Sequence, residues 1–183
     1  AITMNGSGAA LSLTVDGGNS LNVQAVLTTN AGGITLSADD DVIFTAAGDL
    51  SSANGNIAVT ADDDATSDAT IGGALTMVDG TVFNAGSGTI SGVADEDITL
   101  GQMTTTNATS SAITLNTASG NILDGDTSGA NDLTAASGTV SVTTGGGTFG
   151  TTANDIEVSS AYLSTTGLPV ATPTSEVILT GST

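Results

Sequence analysis

Three observations predict an all-β chain wound as a right-handed parallel β-helix (β-solenoid), with about 23 residues per coil and three short strands in each. The pattern G-x-I-x-x-x-A-D-[DE]-D occurs at Gly32–Asp41, Gly55–Asp64 and Gly88–Asp97. Apolar residues alternate over short patches, as in Leu11-Ser12-Leu13, Ile34-Thr35-Leu36, Ile57-Ala58-Val59 and Ile113-Thr114-Leu115. That is strand periodicity with one buried face. Gly, Asn, Asp and Ser separate the patches, which is turn chemistry.

The ladder positions follow in chain order. The first apolar residues of the strands are Leu11, Ile34, Ile57, Ile90, Ile113, Leu133, Ile156 and Val177, with steps of 23, 23, 33, 23, 20, 23 and 21. A second ladder reads Leu21, Val42, Leu75, Ile98, Ile122, Val140 and Leu163, and it also contains one step of 33. A single insertion near Ala65–Ala74 accounts for both long steps, as a loop budding from one turn. A third, weaker ladder runs Leu27, Leu50, Phe83, Met103, Phe149 and Leu168 and skips a coil. Three strands per repeat make a roughly triangular coil, each strand stacking in parallel on its counterpart at about 4.8 Å. The right hand extends the crossover rule to this case. An antiparallel β-sandwich also spaces its strands regularly, but it does not predict a 23-residue repeat or one insertion shared by two ladders. The repeat domain is placed at 1–168. Pro169 and Pro173 mark 169–183 as a coil-edge loop or linker, with a terminal strand at Val177–Leu179.

Composition excludes whole classes of function. The 183 residues include 19 acids and no Lys, Arg, His or Cys, for a net charge of −19. Nucleic acid is not a partner, because displacing counterions from phosphate needs Lys or Arg. Nucleophile–His catalysis and Cys/His zinc sites have no residues to work with. Gly145-Gly146-Gly147 has no following Lys to make it a phosphate loop, so it reads as a turn. The Ala1 start shows neither a basic nor an apolar leader region, and no apolar run reaches the roughly 18 residues of a spanning helix, so membrane insertion is not expected. Disorder does not fit, since 38% of residues are hydrophobic and only 10% are charged. Aromatics are 2%, so the core is expected to be thin and aliphatic.

The acids define the candidate sites. Asp16, Asp39, Asp62 and Asp95 each lie five residues after a ladder residue, and Asp41, Asp64 and Asp97 form a second column two residues on. Stacked coils would repeat carboxylates about every 4.8 Å along one edge, where unit charges repel by ~0.9 kcal/mol in water. Two readings stand. Either Ca²⁺ binds between the carboxylates, taking oxygen ligands, or the column is a solvated acidic turn that keeps the rod apart from its neighbours. A second candidate calcium loop is the D-x-D-x-S-G run with Asp124, Asp126, Ser128 and Asp132, which lacks the bidentate Glu and flanking helices of an EF-hand; an ordinary Asp/Gly turn is its other reading. No cofactor is required.

Segments such as GGITLSADDDVIFTAAGDL, DEDITLGQMTTTNATSSAITLNTASGNILDG and TTANDIEVSSAYLST resemble repeats of filamentous-haemagglutinin-like and autotransporter-like bacterial exoproteins. The resemblance spans about Ile2–Thr166. It implies an extracellular or cell-surface stalk with an adhesive or matrix role and a host or matrix surface ligand. The complete lack of basic residues departs from those families. The expected function is therefore a non-enzymatic stiff rod within a bacterial surface or fibre protein. One alternative is a self-assembling subunit of an extracellular filament or surface layer, stacking end to end and stabilised by calcium. A second is a polysaccharide-binding or -cleaving module, against which stand a single Tyr and no Trp. Neighbouring segments of a longer chain are the other expected partners.

Overall fold

The structure, a computed structural model, describes residues 1–62, 72–126, 128–168 and 177–179, the last three by backbone alone. It is a parallel β-solenoid of about seven turns, with no helix among the described residues. The first five coils carry three strands each. These are β1 (Ile2–Met4), β2 (Leu11–Val15) and β3 (Leu21–Val23); β4 (Leu27–Thr29), β5 (Ile34–Ala38) and β6 (Val42–Phe44); β7 (Leu50–Ser52), β8 (Ile57–Ala61) and β9 (Leu75–Met77); β10 (Val82–Asn84), β11 (Ile90–Ala94) and β12 (Ile98–Leu100); and β13 (Gln102–Thr104), β14 (Ile113–Thr117) and β15 (Ile122–Asp124). In the sixth and seventh coils the first two strands merge into single long strands, β16 (Leu133–Thr144) and β17 (Ile156–Thr166), with an irregularity between Ala135 and Thr139 that turns β16 across the corner. β18 (Val177–Leu179) pairs with the start of β17.

Every pairing is parallel, and the register explains the repeat. Leu11 stacks on Ile34, Ile34 on Ile57, Ile57 on Ile90 and Ile90 on Ile113. On the next face Leu21, Val42, Leu75, Ile98 and Ile122 form the second column. The step of 33 between Ile57 and Ile90 and that between Val42 and Leu75 share the connection from Ala61 to Leu75, as the single-insertion reading requires. Residues 65–71 of the expected loop lie outside the described residues.

The expected columns need correction after Ile113. Val140, not Leu133, stacks on Ile113, and Leu163 follows Val140. Leu133 instead continues the third column, Leu27–Leu50–Phe83–Met103–Leu133–Val158, which skips no coil. Phe149 belongs to the second column, bridging Ile122. The cause is local. The connection between β15 and β16 takes eight residues, 125–132, where the same corner of earlier coils takes one to five. Counting in units of 23 therefore lands on the wrong apolar residue.

The core is a thin stack of Ile, Leu, Val and Ala in which Phe44 and Phe83 meet edge to face, centroids 4.7 Å apart. The glycine that opens each consensus repeat is required by close approach. A Cβ on Gly55 would overlap the carbonyl of Gly32, and one on Gly88 the carbonyl of Gly55. Buried hydroxyls close the same corner, with Thr29 Oγ1 donating to Gly32 O (2.5 Å) and Thr105 Oγ1 to Gly88 O (2.5 Å).

Candidate functional site

The acidic residues fall into two structural groups. Asp16, Asp39, Asp62 and Asp95 directly follow β2, β5, β8 and β11, so they occupy one corner on four successive coils. Their side chains differ in use. Asp39 Oδ2 accepts the amides of Gly17 and Gly18 on the coil before. Asp62 sits at φ 59°, in the left-handed region, and shares a shallow hollow with Asp95, Val93, Asn116 and Ala118.

The second expected column is interrupted. Asp41 and Asp97 directly precede β6 and β12, but the matching position before β9 is Ala74, because the long connection shifts the chain. Asp64 lies outside the described residues. Asp41 and Asp97 are thus two coils apart. Each serves the backbone of the next coil instead: Ala74 N–H donates to Asp41 Oδ1 (2.9 Å), and Asn121 N–H donates to Asp97 Oδ1 (2.6 Å).

This is one instance of a rule that runs through the molecule. A residue preceding a strand offers a side-chain oxygen to the amide one coil above. Val82 N–H donates to Asp49 Oδ1 (2.9 Å), Thr89 N–H to Asn56 Oδ1 (3.0 Å), Thr148 N–H to Asn121 Oδ1 (2.9 Å) and Glu157 N–H to Asp132 Oδ2 (2.9 Å). An Asp or Asn at these corners satisfies amides that regular strand pairing leaves open.

Asp132 departs from the others in its surroundings. Asp41, Asp49 and Asp97 are half-buried, and none of their carboxylate oxygens is buried without a partner. Asp132 is 0% exposed, and its Oδ1 has no hydrogen-bond partner. It is also not alone. One carboxylate oxygen each from Asp124, Asp132 and Glu157 lie within 4.8 Å of one another. Asp124 ends β15, Asp132 precedes β16, and Glu157 is the second residue of β17, so the three acids come from three successive coils. Among the described residues, this is the place where three carboxylates converge so closely.

The electrostatics follow from burial without a counter-charge. Burial pushes the Asp132 carboxyl up to about 8; the bond from the Glu157 amide opposes this, and the charges of Asp124, Glu157 and Asp126 add to it. Burial likewise lifts Asp124 to about 6, against the bond from the Asp126 amide and with the charges of Asp126, Glu157 and Asp79.

The expected calcium loop is therefore redistributed. Asp124 and Asp132 converge. Asp126, though buried, accepts the Ser128 amide on Oδ1 (2.5 Å), and the exposed Ser128 accepts the Ala130 amide on Oγ (3.2 Å). Those two shape the turn. Asn154 Nδ2 fastens it from the seventh coil, donating to Asp124 O (3.3 Å) and Asp126 O (2.5 Å). Glu157 was not singled out by sequence, because strand alternation puts it on the face opposite Ile156 and Val158. Pairing Leu133 with Val158 is the signal that finds it, since that register sets Asp132 beside Glu157. Comparison with protein-family models, curated proteins and solved structures returns no match.

Proposed function

We propose that the chain is a non-catalytic stiff rod segment of an extracellular bacterial surface or fibre protein, adhesive or matrix-forming in role, of the filamentous-haemagglutinin-like and autotransporter-like kind. The observation that carries this reading is the unbroken column from Leu11 through Ile34, Ile57, Ile90, Ile113 and Val140 to Leu163. Each coil is bonded along its faces to the next, so bending the stack means breaking ladder bonds on one side. About seven coils at ~4.8 Å give a rod on the order of 30 Å long. A net charge of −19 keeps parallel rods apart, and the lack of Lys and Arg leaves trypsin-type proteases no cleavage site. Both suit a life outside the cell.

A second reading is end-to-end self-assembly, since stacked coils pair in parallel, each offering the next a strand to bond. Sedimentation and negative-stain electron microscopy over a concentration series test both readings. Single short rods at every concentration support the segment reading. Fibres that lengthen with concentration favour self-assembly. Saturable binding to one oligosaccharide on a glycan array would replace both with a carbohydrate-binding role.

A further inference from the structure

We propose that Asp124, Asp132 and Glu157 form a calcium site that clamps the fifth, sixth and seventh coils together. The site stands independently of the rod's extracellular role.

The first ground is convergence. Three carboxylates from three coils place ligand oxygens within 4.8 Å of one another, in a chain that has no Lys, Arg or His to pair with them. The second is independent of the first. Asp132 is completely buried, and while its Oδ2 takes the Glu157 amide, its Oδ1 has no partner. Half-buried Asp41, Asp49 and Asp97 make the same inter-coil bond, and none of them holds a buried oxygen without a partner. At Asp132 solvent is shut out, so that oxygen needs a positive partner supplied from outside the chain.

The donor set selects the ion. All three ligands are hard oxygens, which suit Ca²⁺ or Mg²⁺ rather than zinc or copper. Calcium holds oxygens at about 2.3–2.6 Å, so its coordination sphere spans a separation of about 4.8 Å. Magnesium holds them at about 2.0–2.1 Å and demands near-octahedral geometry, so its sphere is only about 4.2 Å across. The eight-residue connection 125–132, longest of its corner, is what carries the chain from Asp124 back to Asp132.

The test uses the purified full chain, stripped with a chelator and titrated with CaCl₂ by calorimetry and by thermal melting. We expect one saturable site with a dissociation constant on the order of 10⁻⁴ M, in the range of extracellular calcium modules, and a melting temperature that rises as it fills. Asp132→Asn keeps an acceptor for the Glu157 amide. It should melt higher than the parent in chelator and lose the calcium response, and Glu157→Gln should weaken binding by more than about tenfold. Asp16→Asn, at an exposed corner, should leave the response intact. No heat and no melting shift with Ca²⁺ would overturn the proposal. So would a calcium response that persists in both Asp132→Asn and Glu157→Gln, or an equal response to MgCl₂.

Discussion

Asp132 and Glu157 hold each other's backbone: the Asp132 amide donates to the Glu157 carbonyl at 3.0 Å, and the Glu157 amide donates to Asp132 Oδ2 at 2.9 Å. The two residues therefore cannot separate without breaking the ladder between the sixth and seventh coils. The molecule contains a fixed, buried concentration of acidic groups, and its acid–base behaviour follows.

In chelator, stability should fall as pH rises. Asp132 and Asp124 titrate near 8 and 6 in the folded chain against an ordinary value of 3.8, so the folded state binds more protons over that interval. An acid raised in this way costs nothing while protonated in both states, below about pH 4, and becomes steadily destabilising up to about pH 8. Glu157, Asp126 and Asp79 face the pair and act in the same direction. Thermal melting followed by circular dichroism across that range should show the decline, and Asp132→Asn should flatten its upper part. A parent profile that is level from about pH 5 to about pH 8 would contradict the assigned burial.

Gly55→Ala should be severe. The new methyl would meet the Gly32 carbonyl, which is backbone and part of the stack, so the coils must separate to admit it. A loss of about 2 kcal/mol or more is expected from urea unfolding. Gly8→Ala is the comparison. Its φ is 73° but nothing lies within 4 Å of the added carbon, so only the backbone cost of roughly 1 kcal/mol applies. Equal effects at the two positions would show that coil spacing is not what the glycine serves.

The corner acids have a role that does not need their charge. Asp97→Ala removes the acceptor for the Asn121 amide and should cost about 1 kcal/mol, while Asp97→Asn should stay within roughly 0.5 kcal/mol of the parent. If Asn is as damaging as Ala, the carboxylate itself matters there and the column of corner acids regains its claim to a cation.

Phe83→Ala should cost about 3–5 kcal/mol, a large share of the stability of a chain this size. Phe83 is fully buried against Phe44 and stacked on Met103 in a thin core, so its removal leaves a large gap to close. Chemical denaturation gives the value. A loss under about 1 kcal/mol would mean that the stack closes around the cavity.

Much of this architecture was legible because it is written in repetition. Ile34, Ile57 and Ile90 occupy equivalent sites in near-identical strings, and stacking makes equivalent strings into equivalent places. The shared step of 33 located the long connection for the same reason. Legibility failed where the connection lengths changed. Between Asp124 and Leu133 the corner takes extra residues, so Leu133 was assigned to the column of Ile113 when it lies over Met103. That displacement also hid the site. With Leu133 set against Ile156, Asp132 falls beside Asp155; set against Val158, it lies beside Glu157. Asp124 and Asp132 were visible as a spaced motif, whereas Glu157 belongs to the cluster only through tertiary register.

The connection between β8 and β9 runs from 62 to 74, thirteen residues where the coils on either side use three, yet Val42, Leu75 and Ile98 remain in one column. Girth and decoration are thus uncoupled at that corner. It is a natural graft point, where the length of the connection is free to vary while the interior keeps its packing.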